Sequence, residues 1–179
     1  MGLADQLTVA RAAAVPVVTV LFIWPFPGHD YWATGLFCLA MSTDWLDGRI
    51  ARSRGRTSEL GSLLDPVADK LLVLTVLIVL TGRAFPAWMV AAIVARELLV
   101  SGLRLAALER GVVLHARDLG KLKTWSQAVA AAIGGLAAAG AWSDSVAWWS
   151  LLVAVVLSWV SGLDYARVAP DLLRGRAVA

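Results

Sequence analysis

The chain has 179 residues, the length of one domain, with 59% apolar and 16% charged residues, against roughly 45–50% and about 25% in soluble proteins. That composition excludes an ordinary soluble domain and predicts an integral membrane protein. The net charge of +3 gives no footing for a nucleic-acid partner, and none is expected. The single cysteine, Cys38, excludes a disulfide framework within the chain, and no Cys/His pattern of the metal-binding kind is present.

Six apolar segments follow one another at approximately 7–24, 32–53, 60–82, 86–109, 119–141 and 146–168. Each is long enough to cross roughly 30 Å of hydrocarbon, allowing for tilt. The first has no basic stretch before it, so it reads as a retained spanning helix, not a cleaved signal. Breakers fall between segments: Pro25, Pro27 and Gly28, then Gly55, then Gly82 and Pro86, then Gly111 and Gly120, then Ser143 to Ser145. The expected architecture is all-α, a single six-helix membrane domain over residues 1–179. Of 16 basic residues, 15 fall in one half and Arg83 alone at the other end. That asymmetry places both termini on the cytoplasmic side. Trp24, Trp32, Trp88, Trp142, Trp148 and Trp149 gather at the far interface, as an aromatic belt does. Segment five is crowded with Ala130, Ala131, Ala132, Gly134, Gly135, Ala137, Ala138, Ala139 and Gly140. Such small residues suit either a close helix or subunit contact or ordinary packing within the bundle.

The second and third segments enclose four aspartates, Asp44, Asp47, Asp65 and Asp69. Ionised carboxylates next to lipid are costly unless cations or protons balance them. Asp44 and Asp47 are spaced i,i+3, and Asp65 and Asp69 i,i+4, so each pair shares a helix face. Two such helices brought together present the oxygen-rich, hard donor set that suits Mg²⁺ or Mn²⁺. Two divalent ions balance four carboxylates, and a diphosphate arriving there needs further positive charge. Arg52, two turns after Asp44, is placed to supply it. Gly48 and Gly61 leave room for a ligand against the backbone. Taken singly, each feature has a structural explanation: Asp65-Pro66 as a helix cap, Lys70 as an ion-pair partner of Asp69, the arginine run as a topology signal. Together they point to phosphoryl-transfer chemistry.

The stretch resembles the signature of the CDP-alcohol phosphotransferase family, D-x2-D-G-x2-A-R-x8-G-x3-D-x3-D, with every fixed position matched between Asp44 and Asp69. The resemblance implies a six-helix membrane enzyme, dimeric, with its active site at the cytoplasmic interface. Such enzymes transfer a phosphatidyl or similar group from a CDP-linked donor to an alcohol and release CMP. By the same resemblance Asp44, Asp47, Asp65 and Asp69 hold two divalent cations, and Asp69 is the base on the acceptor hydroxyl. Gly48, Arg52 and Gly61 contact the cytidine diphosphate.

A second stretch bears on the acceptor. Arg96 and Glu97 lie about halfway along segment four, where charges mark either a water-filled cavity or a mutual ion-pair network. Arg104 follows, and Gly120, Lys121, Leu122, Lys123 and Thr124 open segment five; the two lysines also suit interfacial snorkelling. This layout is similar to the branch of the family that uses glycerol 3-phosphate, with A-R-E in segment four and G-K-x-K-T in segment five. It implies CDP-diacylglycerol and sn-glycerol 3-phosphate as substrates, membrane lipid as surroundings, and Arg96, Arg104, Lys121 and Lys123 around the acceptor's phosphate. The N-terminal run from Asp5 to Arg11 departs from the wording usual there. A sister enzyme using inositol phosphate or phosphatidylglycerol, a divalent-cation transporter and a non-catalytic scaffold are the competing readings. His29 and His115 read as loop residues.

Overall fold

A computed structural model describes residues 3–54, 70–109 and 118–173, with side chains over 10–43, 70–108 and 122–163. Six helices run through these residues: α1 Leu3–Ile23, α2 His29–Arg54, α3 over its described part Lys70–Val79, α4 Ala87–Glu109, α5 Asp118–Ala138 and α6 Asp144–Leu173. No named β-strand occurs among the described residues. The helices α1 and α6 extend beyond the apolar runs that predict them. Backbone hydrogen bonds within a helix continue as readily in the interface as in hydrocarbon, so the apolar pattern ends before the helix does.

The bundle has an inverted surface. Leu39, Ile78, Leu98, Leu99, Leu105, Val153 and Val156 point outward and are exposed, whereas Arg96, Glu97, Lys123 and Gln127 are buried. Apolar surface on that scale is unstable in water and natural in lipid. Trp24, Trp32, Trp88, Trp142 and Trp149 are all exposed, and Trp148 packs edge-on against Trp149 at 4.8 Å. This is a membrane protein. Asp144–Leu163 is the stretch among the described residues long and apolar enough to cross a bilayer by itself, with shorter apolar stretches at Ala10–Ile23 and Lys70–Val79.

The core is built from Val18 and Phe22 of α1, Phe37 of α2, Leu72, Val76 and Leu77 of α3, Met89 and Ile93 of α4, Ala131 of α5, and Leu151 and Ala154 of α6. The helix α5 packs on α6 and α2, while α4 packs on α6 and α1 on α2. The small residues of α5 explain how closely it sits. A Cβ built on Gly134 would collide with the ring of Phe85, and one on Gly135 with the side chain of Thr34 in α2. These two glycines therefore serve contacts inside the bundle. Pro16 lies within α1 and removes one backbone donor; nearby, the Thr19 hydroxyl donates to the Val15 carbonyl at 2.7 Å.

The three connections at the far end are short. Gly28, Gly82 and Gly140 take positive φ there, at 76°, 80° and 76°, a backbone state that any side chain would strain. Arg83, the lone basic residue of that end, is tied down. It donates to Asp30 Oδ2 at 2.6 Å and to the Phe22 carbonyl at 3.3 Å. The α3–α4 turn is thereby fastened to the ends of α1 and α2, and the buried carboxylate of Asp30 is balanced.

Candidate functional site

The first half of the aspartate motif rides on an unbroken helix. Because α2 continues to Arg54, Asp44, Asp47, Gly48 and Arg52 occupy its last turns, with Asp44 and Asp47 about one helical turn apart. Upstream, the hydroxyls of Ser42 and Thr43 donate to the Cys38 and Leu39 carbonyls at 2.7 and 2.6 Å, so neither polar group competes with the helix. Gly61, Asp65 and Asp69 lie outside the described residues, as do the side chains of Asp44, Asp47, Arg52 and Lys121. The donor set itself decides which ion fits. Four carboxylates, with no sulfur or imidazole within the motif, suit a hard divalent cation such as Mg²⁺ or Mn²⁺ and are poor ligands for a soft one. Among the described residues no group of three His, Cys, Asp or Glu side chains comes together.

A cavity of about 250 Å³ opens between α1 and α2 just before the motif, lined by Ala10, Arg11, Ala14, Leu36, Leu39, Ala40 and Thr43. Small residues on both helices create it. Arg11, almost fully buried, brings a cation to its wall.

Elsewhere in the bundle, groups from α3, α4 and α5 meet at one carboxylate, and α6 joins through Arg96 and Gln127. Glu97 Oε1 accepts from Arg96 Nη1 at 3.1 Å, from Gln127 Nε2 at 3.3 Å and from Lys123 Nζ. Arg96 is held further: its Nε donates to the Ser158 carbonyl at 2.8 Å and its Nη2 to Ser161 Oγ at 2.6 Å. Gly162 beside it leaves the necessary room, since a Cβ there would stand 3.2 Å from Arg96 Nε. Gln127 also reaches Ser158 Oγ at 3.3 Å. From α3, Lys70 Nζ stands 3.7 Å from Glu97 Oε2 and donates to Ser101 Oγ at 3.0 Å.

Arg96 and Lys123 thus meet on Glu97, and the charges of α4 form a mutual ion-pair network. Arg104 lies on the same helix, half-buried, a turn beyond Ser101. The sequence reading misses Lys70, Ser101, Gln127, Ser158 and Ser161. A signal exists for some of them. Gln127 stands i+4 from Lys123, and Ser158 and Ser161 are i,i+3 in an otherwise apolar helix, so each pair shares a face.

An aspartate motif closing α2 and a cluster of buried cations inside a helical membrane bundle define a class of membrane enzyme that handles phosphates. The family profile of CDP-alcohol phosphatidyltransferases matches residues 1–160, and the chain belongs to that family. Similar curated proteins bear the name "CDP-diacylglycerol--glycerol-3-phosphate 3-phosphatidyltransferase". The one from Bacillus subtilis is 39% identical over 142 residues, covering 72% of this chain and 74% of its own. That from Shigella flexneri is 35% identical over 173 residues, covering 93% and 94%. A third, from Salmonella choleraesuis, is 36% identical over 131 residues, covering 70% and 72%.

Proposed function

We propose that this protein transfers a phosphatidyl group from CDP-diacylglycerol to sn-glycerol 3-phosphate, giving phosphatidylglycerophosphate and CMP. The observation that carries the reading is the shared name of relatives aligned over as much as 93% of the chain, in a family whose aspartate signature is complete here.

In this reading Asp44, Asp47, Asp65 and Asp69 would hold two divalent cations. Such ions would supply positive charge to neutralise the diphosphate and ease departure of CMP. Gly48, Arg52 and Gly61 position the cytidine diphosphate. Asp69 accepts the proton of the acceptor hydroxyl as its oxygen bonds to the phosphorus nearest the lipid, and the bond from that phosphorus to the CMP oxygen breaks. Arg104, Lys121 and Lys123 surround the acceptor's phosphate. Arg96 has its Nε, Nη1 and Nη2 engaged with Ser158, Glu97 and Ser161, so it serves that site by fixing Glu97. The lipid chains stay in the cytoplasmic leaflet. Six spanning helices, cytoplasmic termini and a homodimer belong to the same reading, and the one-sided distribution of Lys and Arg supports its orientation.

The test is CMP release by purified protein given CDP-diacylglycerol and Mg²⁺ with a panel of acceptors. Glycerol 3-phosphate should drive release, and inositol phosphate or phosphatidylglycerol should not. Release driven by one of those two instead would move the protein to a sister reaction.

A further inference from the structure

Lys70 stands immediately after the last aspartate of the motif, yet its ammonium group turns toward α4. It donates to Ser101 Oγ at 3.0 Å and lies 3.7 Å from Glu97 Oε2. Glu97, Ser101 and Arg104 are spaced i, i+4 and i+7 and so form one stripe along α4. Lys70 meets that stripe from α3, between its carboxylate and its arginine.

The charges of this cluster do not cancel. Lys70, Arg96 and Lys123 share the single carboxylate of Glu97, a formal surplus of two positive charges among the described residues. Surplus charge inside an apolar bundle calls for a counter-anion, and a phosphate monoester carries about −1.5 to −2 near neutral pH. The three cations differ in what they have left to offer. The side chains of Arg96 and Lys123 are 4% and 7% exposed, and Arg96 is engaged through three of its nitrogens. The Lys70 side chain is 36% exposed. An ammonium has three donors, and Ser101 takes one.

Resting on the glycerol 3-phosphate reading above, we propose that Lys70 is an acceptor-binding residue: its ammonium contacts the acceptor's phosphate, with Ser101 and Glu97 holding it in place. The position next to Asp69 then has a purpose. Adjacent positions in the sequence supply both the base for the attacking hydroxyl and a cation for the phosphate at the other end of the same small molecule.

The test compares Lys70→Ala and Lys70→Arg with the unmodified protein. Steady-state kinetics are measured in both substrates, together with the thermal shift that glycerol 3-phosphate and, separately, inorganic phosphate produce on the purified protein. Loss of a charge-assisted contact should raise KM for glycerol 3-phosphate roughly tenfold to a hundredfold in Lys70→Ala. The KM for CDP-diacylglycerol should stay within about twofold. The ligand-induced thermal shift should vanish, and Lys70→Arg should recover part of both effects. An unchanged acceptor KM, or a rise confined to the donor, overturns the assignment while the proposed reaction stands. A phosphate-induced shift that is lost in Lys70→Ala, in a protein with no glycerol 3-phosphate turnover, upholds the anion contact and overturns the reaction. Absence of both turnover and shift in the unmodified protein overturns both.

Discussion

Lys123 of α5 donates to the carboxylate of Glu97 in α4, and both side chains are buried. Glu97 is also the partner of Arg96 and Gln127 and the neighbour of Lys70, so one acidic group ties three helices together, and α6 joins them through Arg96 and Gln127. Desolvating a carboxylate is expensive, and it is tolerated here because every approaching group is a donor.

Removing Glu97 should therefore cost more than an average core substitution. Glu97→Leu leaves two buried cations without their counter-charge, which is worth about 3–5 kcal/mol. Glu97→Gln keeps an oxygen acceptor and should lose clearly less. Thermal unfolding of the two variants in the same detergent measures the difference. Equal losses would show that the negative charge, which both variants lack, and not hydrogen-bond acceptance, is what Glu97 supplies.

The glycines of α4 and α5 should behave oppositely under the same change. Gly134→Ala drives a methyl into Phe85, and overpacking of this kind costs about 1–3 kcal/mol. A Cβ at Gly102 meets nothing within 4 Å, so Gly102→Ala should be neutral or stabilise by about 0.5–1 kcal/mol through helix propensity. Combining Gly134→Ala with Phe85→Leu should return part of the loss, as coupled neighbours do. Unfolding transitions of the three variants and of the unmodified protein test this.

The aspartates should separate into ion holding and proton transfer. Asp44→Asn should lower divalent-cation affinity, so that its rate climbs as Mn²⁺ is raised. Asp69→Asn should stay slow at any Mn²⁺ concentration, by about 10²–10⁴-fold, the usual cost of losing a positioned base. Spectroscopic Mn²⁺ titration should give two ions per chain in the unmodified protein. One ion or none would contradict the paired-helix site.

Helix existence was legible in the sequence because hydrocarbon imposes long apolar runs, and six helices stand near the six runs. The family was legible because the aspartate signature is complete in the sequence. What escaped was long-range pairing. Arg83 looks misplaced on the far side until Asp30, 53 positions earlier, is seen to bind it. Lys70 looks like a partner for its neighbour Asp69, and only the approach of α4 shows its contacts with Ser101 and Glu97. Ser158 and Ser161 pass for neutral residues of an apolar helix, since nothing local tells that Arg96 will arrive 62 and 65 positions away. The small residues of α5 were readable as a contact stripe, but its partners Phe85 and Thr34 follow only from how the helices pack.

The central claim concerns which bond the protein makes, and transfer of label reports it directly. Purified protein in lipid micelles receives CDP-diacylglycerol, Mg²⁺ and sn-glycerol 3-phosphate labelled in the glycerol carbon. The label should move into organic-extractable phosphatidylglycerophosphate in step with CMP release, and both should stop when a chelator removes the cation. CMP appearing with all label left in the aqueous phase would contradict the account.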